Sequence, residues 1–321
     1  MIGLARRMKR AGLLGINARN ASYQMLLNDR RRYPLVDDKV KTKRLAEEAG
    51  LAVPELYAVV AAHWQVKRFE QLLEGRERFV IKPAQGSQGN GILVIDSRMY
   101  HGWRKADGTM ITDEDLHYHL VNILSGMYSL AGQPDEAMVE YRVDFDSVFD
   151  QVTYQGVPDL RVIVYRGVPA MAMLRLPTRA SDGKANLHKG GVGVGIDLTT
   201  GMTCGGMLHD NPIALHPDTG HQLEGLQVPG WQNILRLSAR CADLTGFGYL
   251  GVDVVLDRKR GPLILELNAR PGLAIQIANR TGLELPFARI DAMDPEECSL
   301  EERLDMARQL QPEAAMESAS A

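Results

Sequence analysis

A chain of 321 residues with 37 Lys and Arg against 40 Asp and Glu carries a net charge of −3 and has a pI near 6.3, which excludes the global basic field used for nucleic-acid binding. Its 45% hydrophobic and 24% charged content is that of a globular protein with room for two or three subdomains. Cys204, Cys241 and Cys298 are widely spaced and odd in number, which argues against a disulfide framework or zinc cluster, and no run approaches the roughly 18 apolar residues of a membrane span. The expectation is a cytoplasmic protein with no nucleic-acid partner and no transmembrane segment, for which a homo-oligomer remains open.

In chain order, MIGLARRMKRAGLLGINARN is basic and amphipathic but lacks the apolar core of a signal peptide. Arg6, Arg7, Lys9 and Arg10 are available to an anionic surface or a partner, although a solvated helix end explains them as well. DDKVKTKRLAEEAGLAVP then predicts a helix from Asp37 or Asp38, stopping at Gly50 with Pro54 just beyond. Lys39, Lys41 and Lys43 crowd its first turns, where cations oppose the helix dipole; at least one is expected to serve an anionic partner. For Lys41 and Lys43 a solvated face is the competing reading.

VIKPAQGSQGNGILVI, residues 80 to 95, reads as strand, flexible loop, strand. Lys82 precedes Gly86, Ser87, Gln88 and Gly89, and glycines allow backbone N–H groups to approach phosphate oxygens closely. The pattern is neither a Walker loop nor the dinucleotide fingerprint, which must open a helix. His117 and His119 flank Tyr118 in a predicted helix, at a spacing that does not share a face, and read as surface residues.

AMVEYRV, residues 137 to 143, reads as a strand whose backbone could meet the edge of an adenine. PDLRVIVY, residues 158 to 165, is another strand, with Asp159 and Arg161 on one face, suited to a ribose hydroxyl and a phosphate. LRLPTRASDGKANLHKGG, residues 174 to 191, gathers Arg175, Arg179, Asn186, His188 and Lys189 around a glycine pair, and a mobile basic loop is the competing account. From Trp231 to Thr245 the spacing of Ile234, Leu235, Leu237, Cys241 and Leu244 predicts a core helix ending at Gly246.

The most informative stretch is VDVVLDRKRGPLILELNARPG. Two period-two runs, 251 to 256 and 263 to 268, flank the turn-like DRKRG and predict a hairpin. Pairing Asp257 with Pro262 puts Asp253 opposite Glu266, with Asn268 on the same face. Like charges in register are unfavourable without a cation, and hard oxygen ligands without Cys or His point to magnesium.

Taken together, these motifs resemble the ATP-grasp superfamily, and within it the alpha-L-glutamate ligase-like (RimK-related) branch. The resemblance rests on the Asp-Lys helix start at Lys39, the IKP and glycine loop at Lys82, the GVD and ELNxxPG frame around Asp253, Glu266 and Asn268, and the NLHKGG run at 186 to 191, across roughly residues 36 to 285. It implies an α+β fold of two lobes enclosing ATP. It also implies that Lys39 and Lys82 bind ATP phosphates, that Glu140, Tyr141 and Val143 line the adenine, and that Asp159 takes the ribose. Asp253, Glu266 and Asn268 would hold one or two Mg2+ ions, with Mn2+ as a substitute, and Arg161, Asn186, Lys189 and Arg270 would serve the transferring group. The implied reaction passes the γ-phosphate to a carboxylate, and an amine then attacks the acylphosphate to give an amide or peptide bond.

Two departures stand out. The family usually carries an α/β domain ahead of the grasp, whereas about thirty-five residues precede Asp37, too few for a packed domain. Arg270 occupies a position where glutamate ligases tend to have a small residue. The expected layout is a basic helical arm over 1–35, a small lobe over 36–136, a large lobe over 137–312 and a frayed tail over 313–321. A carboxylate-amine ligase, adding glutamate or another amino acid to a small molecule or peptide, leads the readings. Transfer of an activated acyl or phosphoryl group to a hydroxyl or sugar is the alternative, and a non-catalytic ATP-binding module the third.

Overall fold

The computed structural model describes residues 8–86, 89–129 and 132–310. Ser87, Gln88, Arg6, Arg7 and the tail expected from residue 313 lie outside the described residues. The chain divides into two compact units: Pro34–Asp144, and a larger one joining the residues up to Tyr33 to those from Phe145 onward.

In the smaller unit, β1 (Leu56–Val60), β2 (Phe79–Pro83), β3 (Leu93–Met99), β4 (Gly102–Lys105), β5 (Met110–Ile111) and β6 (Ala137–Tyr141) form an antiparallel sheet in the order β1-β6-β2-β3-β4-β5. Helix α1 (Lys39–Glu48) begins where the Asp38 carboxylate accepts from the backbone N–H groups of Val40 and Lys41, each at 3.1 Å. That cap satisfies donors with no partner inside the helix. Helix α2 (Asp113–Leu124) opens with a capping box between Thr112 and Asp115 and places Leu116, Leu120, Ile123 and Leu124 in one core with Phe69, Phe79, Ile81 and Trp103. The layout differs here from the expected boundary at residue 136. Strand β6 lies between β1 and β2, so the division comes after Asp144.

The larger unit holds β7 (Asp159–Tyr165), β8 (Val168–Leu176), β9 (Val192–Ile196), β10 (Thr203–Leu208), β11 (Asn211–Ile213), β12 (Tyr249–Asp257) and β13 (Gly261–Asn268), antiparallel in the order β11-β10-β9-β8-β7-β12-β13. Strand β12 is buried along all 9 of its residues, so both of its faces are covered. Helix α3 (Trp231–Thr245) packs on β7, β8, β12 and β13 through Ile234, Leu235 and their helical repeats, and stops at Gly246, whose φ of 64° suits glycine. Helix α4 (Glu284–Met293) contributes Phe287, stacked on Tyr165 with centroids 4.2 Å apart and edge-on to Tyr249 at 6.0 Å. Because Tyr249 pairs with Tyr165 and Asp253 with Arg161, this aromatic group and the charged residues share one sheet face, four positions apart along β12.

Residues 8–33 are integral to this unit rather than a separate arm. Ile16–Ala18, Arg19–Gln24 and Met25–Leu27 form a continuous helical run whose middle segment has π geometry. The i→i+5 pattern stacks residues five apart, and Arg19 and Gln24 are both buried. The Arg19 guanidinium donates to the Pro271 carbonyl at 2.8 Å. Asn28 spans the Tyr249 backbone, donating to its carbonyl at 2.8 Å and accepting from its N–H at 3.0 Å. Tyr23 adds its ring 5.0 Å from Phe287.

Replacing Asn28 with Ala leaves both Tyr249 backbone groups without that partner and is expected to cost about 1–3 kcal/mol, whereas Arg31→Ala, at an exposed position, should stay within about 0.5 kcal/mol. Denaturant midpoints check this, and equal midpoints for the two variants would refute the role given to Asn28.

Candidate ATP and magnesium site

In the smaller unit the site is built around a carboxylate with two lysines. Glu140 is 2% exposed. Its Oε1 lies 2.5 Å from the Lys82 ammonium and its Oε2 pairs with Lys43, which also donates to the Pro54 carbonyl. Lys43 is therefore buried, not part of a solvated face; the cost of burial is offset by a shared carboxylate. Burial pushes its ammonium down to about 8, opposed by Glu140 and reinforced by Lys82. Burial pushes the Glu140 carboxyl up, but Lys82 and Lys43 outweigh it and hold the group below its ordinary value. Lys41, by contrast, is exposed and reaches Asp38 at 3.1 Å.

The glycine-rich loop is tied down from several sides. The Lys39 ammonium donates to the Gly86 carbonyl at 2.6 Å, and the Lys39 N–H to the Ala84 carbonyl at 3.0 Å. Gly86 bridges to Ser129, whose hydroxyl donates to Asp135 at 2.6 Å, and Asp135 in turn accepts from the Gln85 N–H. Gly89 and Gly91 take φ values of 73° and 75°, which side chains other than glycine rarely adopt. His119, expected at the surface, instead contacts the Gly91 carbonyl through Nε2 at 3.0 Å and is half-buried. Burial lowers its pKa, which favours the neutral ring at this contact.

Strand β6 differs from a free edge. Glu140 is paired with both Leu56 and Val80, and the Tyr141 N–H donates to the Glu55 carbonyl at 2.8 Å. The backbone through Tyr141 is thus engaged in the sheet, and Arg142 and the buried Val143 are the first residues past it.

In the larger unit, hairpin β12–β13 puts Asp253 directly opposite Glu266 and Gly251 opposite Asn268. The route to that register differs from simple counting. Asp257 pairs with Gly261, not Pro262, and an irregularity between Asp253 and Val254 restores the offset at Leu265. A bulge of this kind inserts one unpaired residue and re-aims the side chains beyond it.

On its other side Asp253 faces Arg161. Arg161 donates from Nε to Asp253 Oδ1 at 2.7 Å and from Nη2 to Oδ2 at 2.6 Å. Arg175 reaches the same Oδ2 from Nη2 at 2.8 Å while forking onto Asp159, 2.8 Å from Nη2 to Oδ2. The Asn268 amide adds a 3.2 Å contact to Asp253 Oδ2. Burial drives the Asp253 carboxyl up, but the two guanidiniums pull it down to about 2. Asp159 is pushed up to about 6 by burial, with Asp253 adding to the rise and Arg175 opposing it.

This set fits magnesium in kind. Among the described residues no group of three or more His, Cys, Asp or Glu is clustered for a metal. Two carboxylates and an amide oxygen instead suit a hard ion that completes its shell with phosphate oxygens and water.

The 177–191 stretch is ordered by its own hydrogen bonds. Thr178 donates to the Gly190 carbonyl at 2.7 Å, and Asn186 Oδ1 accepts from the His188 N–H at 3.0 Å, capping the turn that exposes Lys189. Arg270 is exposed, with its guanidinium 4.8 Å from the centroid of the Tyr33 ring. The structure thus joins Asp159, Arg161, Asp253 and Asn268 in one network, with Glu266 in register beside it, while Asn186 and Lys189 belong to a separate turn and Arg270 leans on an aromatic. Sequence reading missed Arg175 as a partner of Asp253; its signal was its place on a strand pairing with the one that carries Asp159.

Two antiparallel-sheet units, one with Lys39 and Lys82 beside a glycine-rich segment and the other with Asp253, Glu266 and Asn268 on neighbouring strands, are the frame of an ATP-grasp protein, whose cofactors are ATP and Mg2+. The profile of the sugar-transfer associated ATP-grasp family matches residues 18–292. The chain belongs to that family. Among solved structures it is similar to the ATP-grasp ligase PsnB complexed with minimal precursor (16% identity, covering 84% of this chain and 64% of that one, TM-score 0.44). It is also similar to a RimK domain protein ATP-grasp from Sphaerobacter thermophilus DSM 20745 (14%, 82% and 70%, TM-score 0.47) and to D-alanine–D-alanine ligase from Bacillus anthracis (13%, 88% and 69%, TM-score 0.46). The chain spans less than two thirds of the length of PsnB. No curated protein matches it. Among the described residues no helix is long and apolar enough to cross a membrane.

The lysine pair carries a pH signature. Between about pH 8 and 10.5 the unfolded chain keeps the Lys43 proton that the folded chain has released, so this group's contribution to stability rises with pH across that window. Urea midpoints of the wild type and Lys43→Met, compared at both ends, should diverge in favour of the wild type as pH rises; parallel curves would contradict the burial of Lys43.

Proposed function

We propose that the protein is an ATP-dependent carboxylate-amine ligase. The observation that carries this is the facing pair Asp253 and Glu266, with Arg161 on the opposite flank of Asp253. Phosphoryl transfer requires little covalent chemistry from a protein; it requires position and a field for the charge on the moving group. Asp253, Glu266 and Asn268 hold Mg2+, which neutralises phosphate charge. Arg161 supplies planar donors that match phosphate geometry. Lys39 and Lys82 bind ATP phosphates together with the loop from Gly86 to Gly89, residues 140–143 run beside the adenine, and Asp159 takes the ribose. Asn186, Lys189 and Arg270 receive the substrates, Arg270 by clamping a carboxylate. In the first step a substrate carboxylate oxygen bonds to the γ-phosphorus as the bond to ADP breaks. In the second an amine nitrogen attacks the acyl carbon, phosphate leaves, and the nitrogen gives up a proton.

A second reading, delivery of the activated group to a hydroxyl on a sugar, is favoured by the family's association with sugar transfer. Location in the cytoplasm accompanies either.

Amino acids, small peptides and sugars supplied with ATP and Mg2+, read by ADP release and product mass, separate the two. An amide product supports the ligase, and an ester or phosphorylated sugar moves the assignment to the second reading. Glu266→Gln should lower turnover by at least about 10²-fold without lowering the unfolding midpoint, because it removes one of two facing like charges. Full activity in that variant would remove the metal assignment.

A further inference from the structure

The N-terminal helical run, residues 16–27, reverses the polarity expected of a surface helix. Such a helix normally buries its apolar side and exposes its polar one. Here the residues turned inward are Arg19 and Gln24, with Asn28 just beyond, at intervals of five and four. Each is satisfied: Arg19 by the Pro271 carbonyl, Gln24 by the Tyr33 hydroxyl at 3.0 Å and Asn28 by the Tyr249 backbone. The exposed positions keep the same intervals, 16 and 17, then 21 and 22, then 25 and 26, and so form one stripe. Ile16 is 61% exposed at its start, Ala21 and Ser22 occupy its middle, and Met25 and Leu26 are 73% and 75% exposed at its end. Single exposed apolar residues are ordinary; large ones gathered on one stripe, with polar ones buried behind them, mark a surface that meets something.

The charge around the stripe says what that is. Lys9 and Arg10 are exposed ahead of it, and Arg30, Arg31 and Arg32 beyond it. Residues 1–33 hold eight Lys and Arg against the single acid Asp29, a net of +7, while the whole chain is −3 and the rest of it therefore −10. Asp29 is itself gripped by Arg31, at 3.0 and 2.8 Å. Apolar side chains between two basic clusters match an anionic bilayer, in which the apolar atoms enter the headgroup boundary and the cations meet lipid phosphates. Nucleic acid would match the charges but gain little from Met25 and Leu26. A second copy meeting the stripe face to face would oppose basic clusters to basic clusters. A protein partner would have to present an apolar seat and an acidic rim together, whereas an anionic bilayer offers both everywhere on its surface.

We propose that residues 8–32 form a docking surface for an anionic phospholipid bilayer, with Ile16, Met25 and Leu26 entering the headgroup boundary and Lys9, Arg10, Arg30 and Arg31 meeting lipid phosphates. The attachment is peripheral and reversible, set by a small apolar area and by charge. Arg19 and Asn28 fix the run to the larger unit, so docking carries that unit to the membrane surface.

The test is co-sedimentation of the full-length protein with vesicles of phosphatidylcholine alone or mixed with phosphatidylglycerol. Affinity for the mixed vesicles should be higher by at least roughly 10-fold, and should fall as salt is raised. The double variant Met25→Ser, Leu26→Ser and the double variant Arg30→Gln, Arg31→Gln should each weaken binding to the mixed vesicles by roughly 5-fold or more. Unchanged unfolding midpoints and unchanged ATP turnover without vesicles would show that neither variant acts through the fold or the nucleotide site. Equal binding to both kinds of vesicle, or to neither, would overturn the proposal. So would full binding by the Met25, Leu26 variant, which would reduce the surface to a charged patch, and so would a dimer that this variant abolishes in a protein that ignores vesicles, which would give the stripe to a second copy.

Discussion

The larger unit is organised around the neutralisation of one buried carboxylate. Asp253 is 3% exposed, in a strand with neighbours on both sides, and it faces Glu266 on one flank. An acid in that position, opposite another acid, is tolerated only with positive charge beside it. Strand β7 brings Arg161 to the other flank and β8 brings Arg175 one strand further on. The order β8-β7-β12-β13 is therefore also an order of charges, and a register slip of one residue in any of the three pairings would send one partner to the opposite face. The aromatic group of Tyr23, Tyr165, Tyr249 and Phe287 sits on the same face and fixes the strands where the charges do not.

The smaller unit solves a similar problem with the opposite sign. Two lysines share Glu140, and burial, reinforced by the neighbouring Lys82, lowers the pKa of Lys43.

Membership of the sugar-transfer associated family sharpens the question of the acceptor. The 177–191 turn has Thr178 and Ser181 buried at its base and Lys189 exposed at its end. Such a loop can change at its tip without disturbing the sheet it leaves.

Local pattern was enough to find helix α3 with both of its ends, the start of α1 at Asp38, and the hairpin face carrying Asp253, Glu266 and Asn268, because capping, helical period and strand alternation are properties of neighbouring residues. The ATP-grasp motifs, spaced along the chain, were legible for the same reason. Pairing between distant segments was not. That β6 lies inside the smaller sheet, that Lys43 is buried against Glu140, that His119 holds the glycine loop, that the N-terminal helical run belongs to the larger unit and that Arg175 reaches Asp253 all depend on contacts far apart in sequence. The chain's own order determined which chemical groups are present and on which local face each lies; strand pairing and burial decided which charges meet, since the strength of a charge's interaction depends on its distance and on the water removed around it.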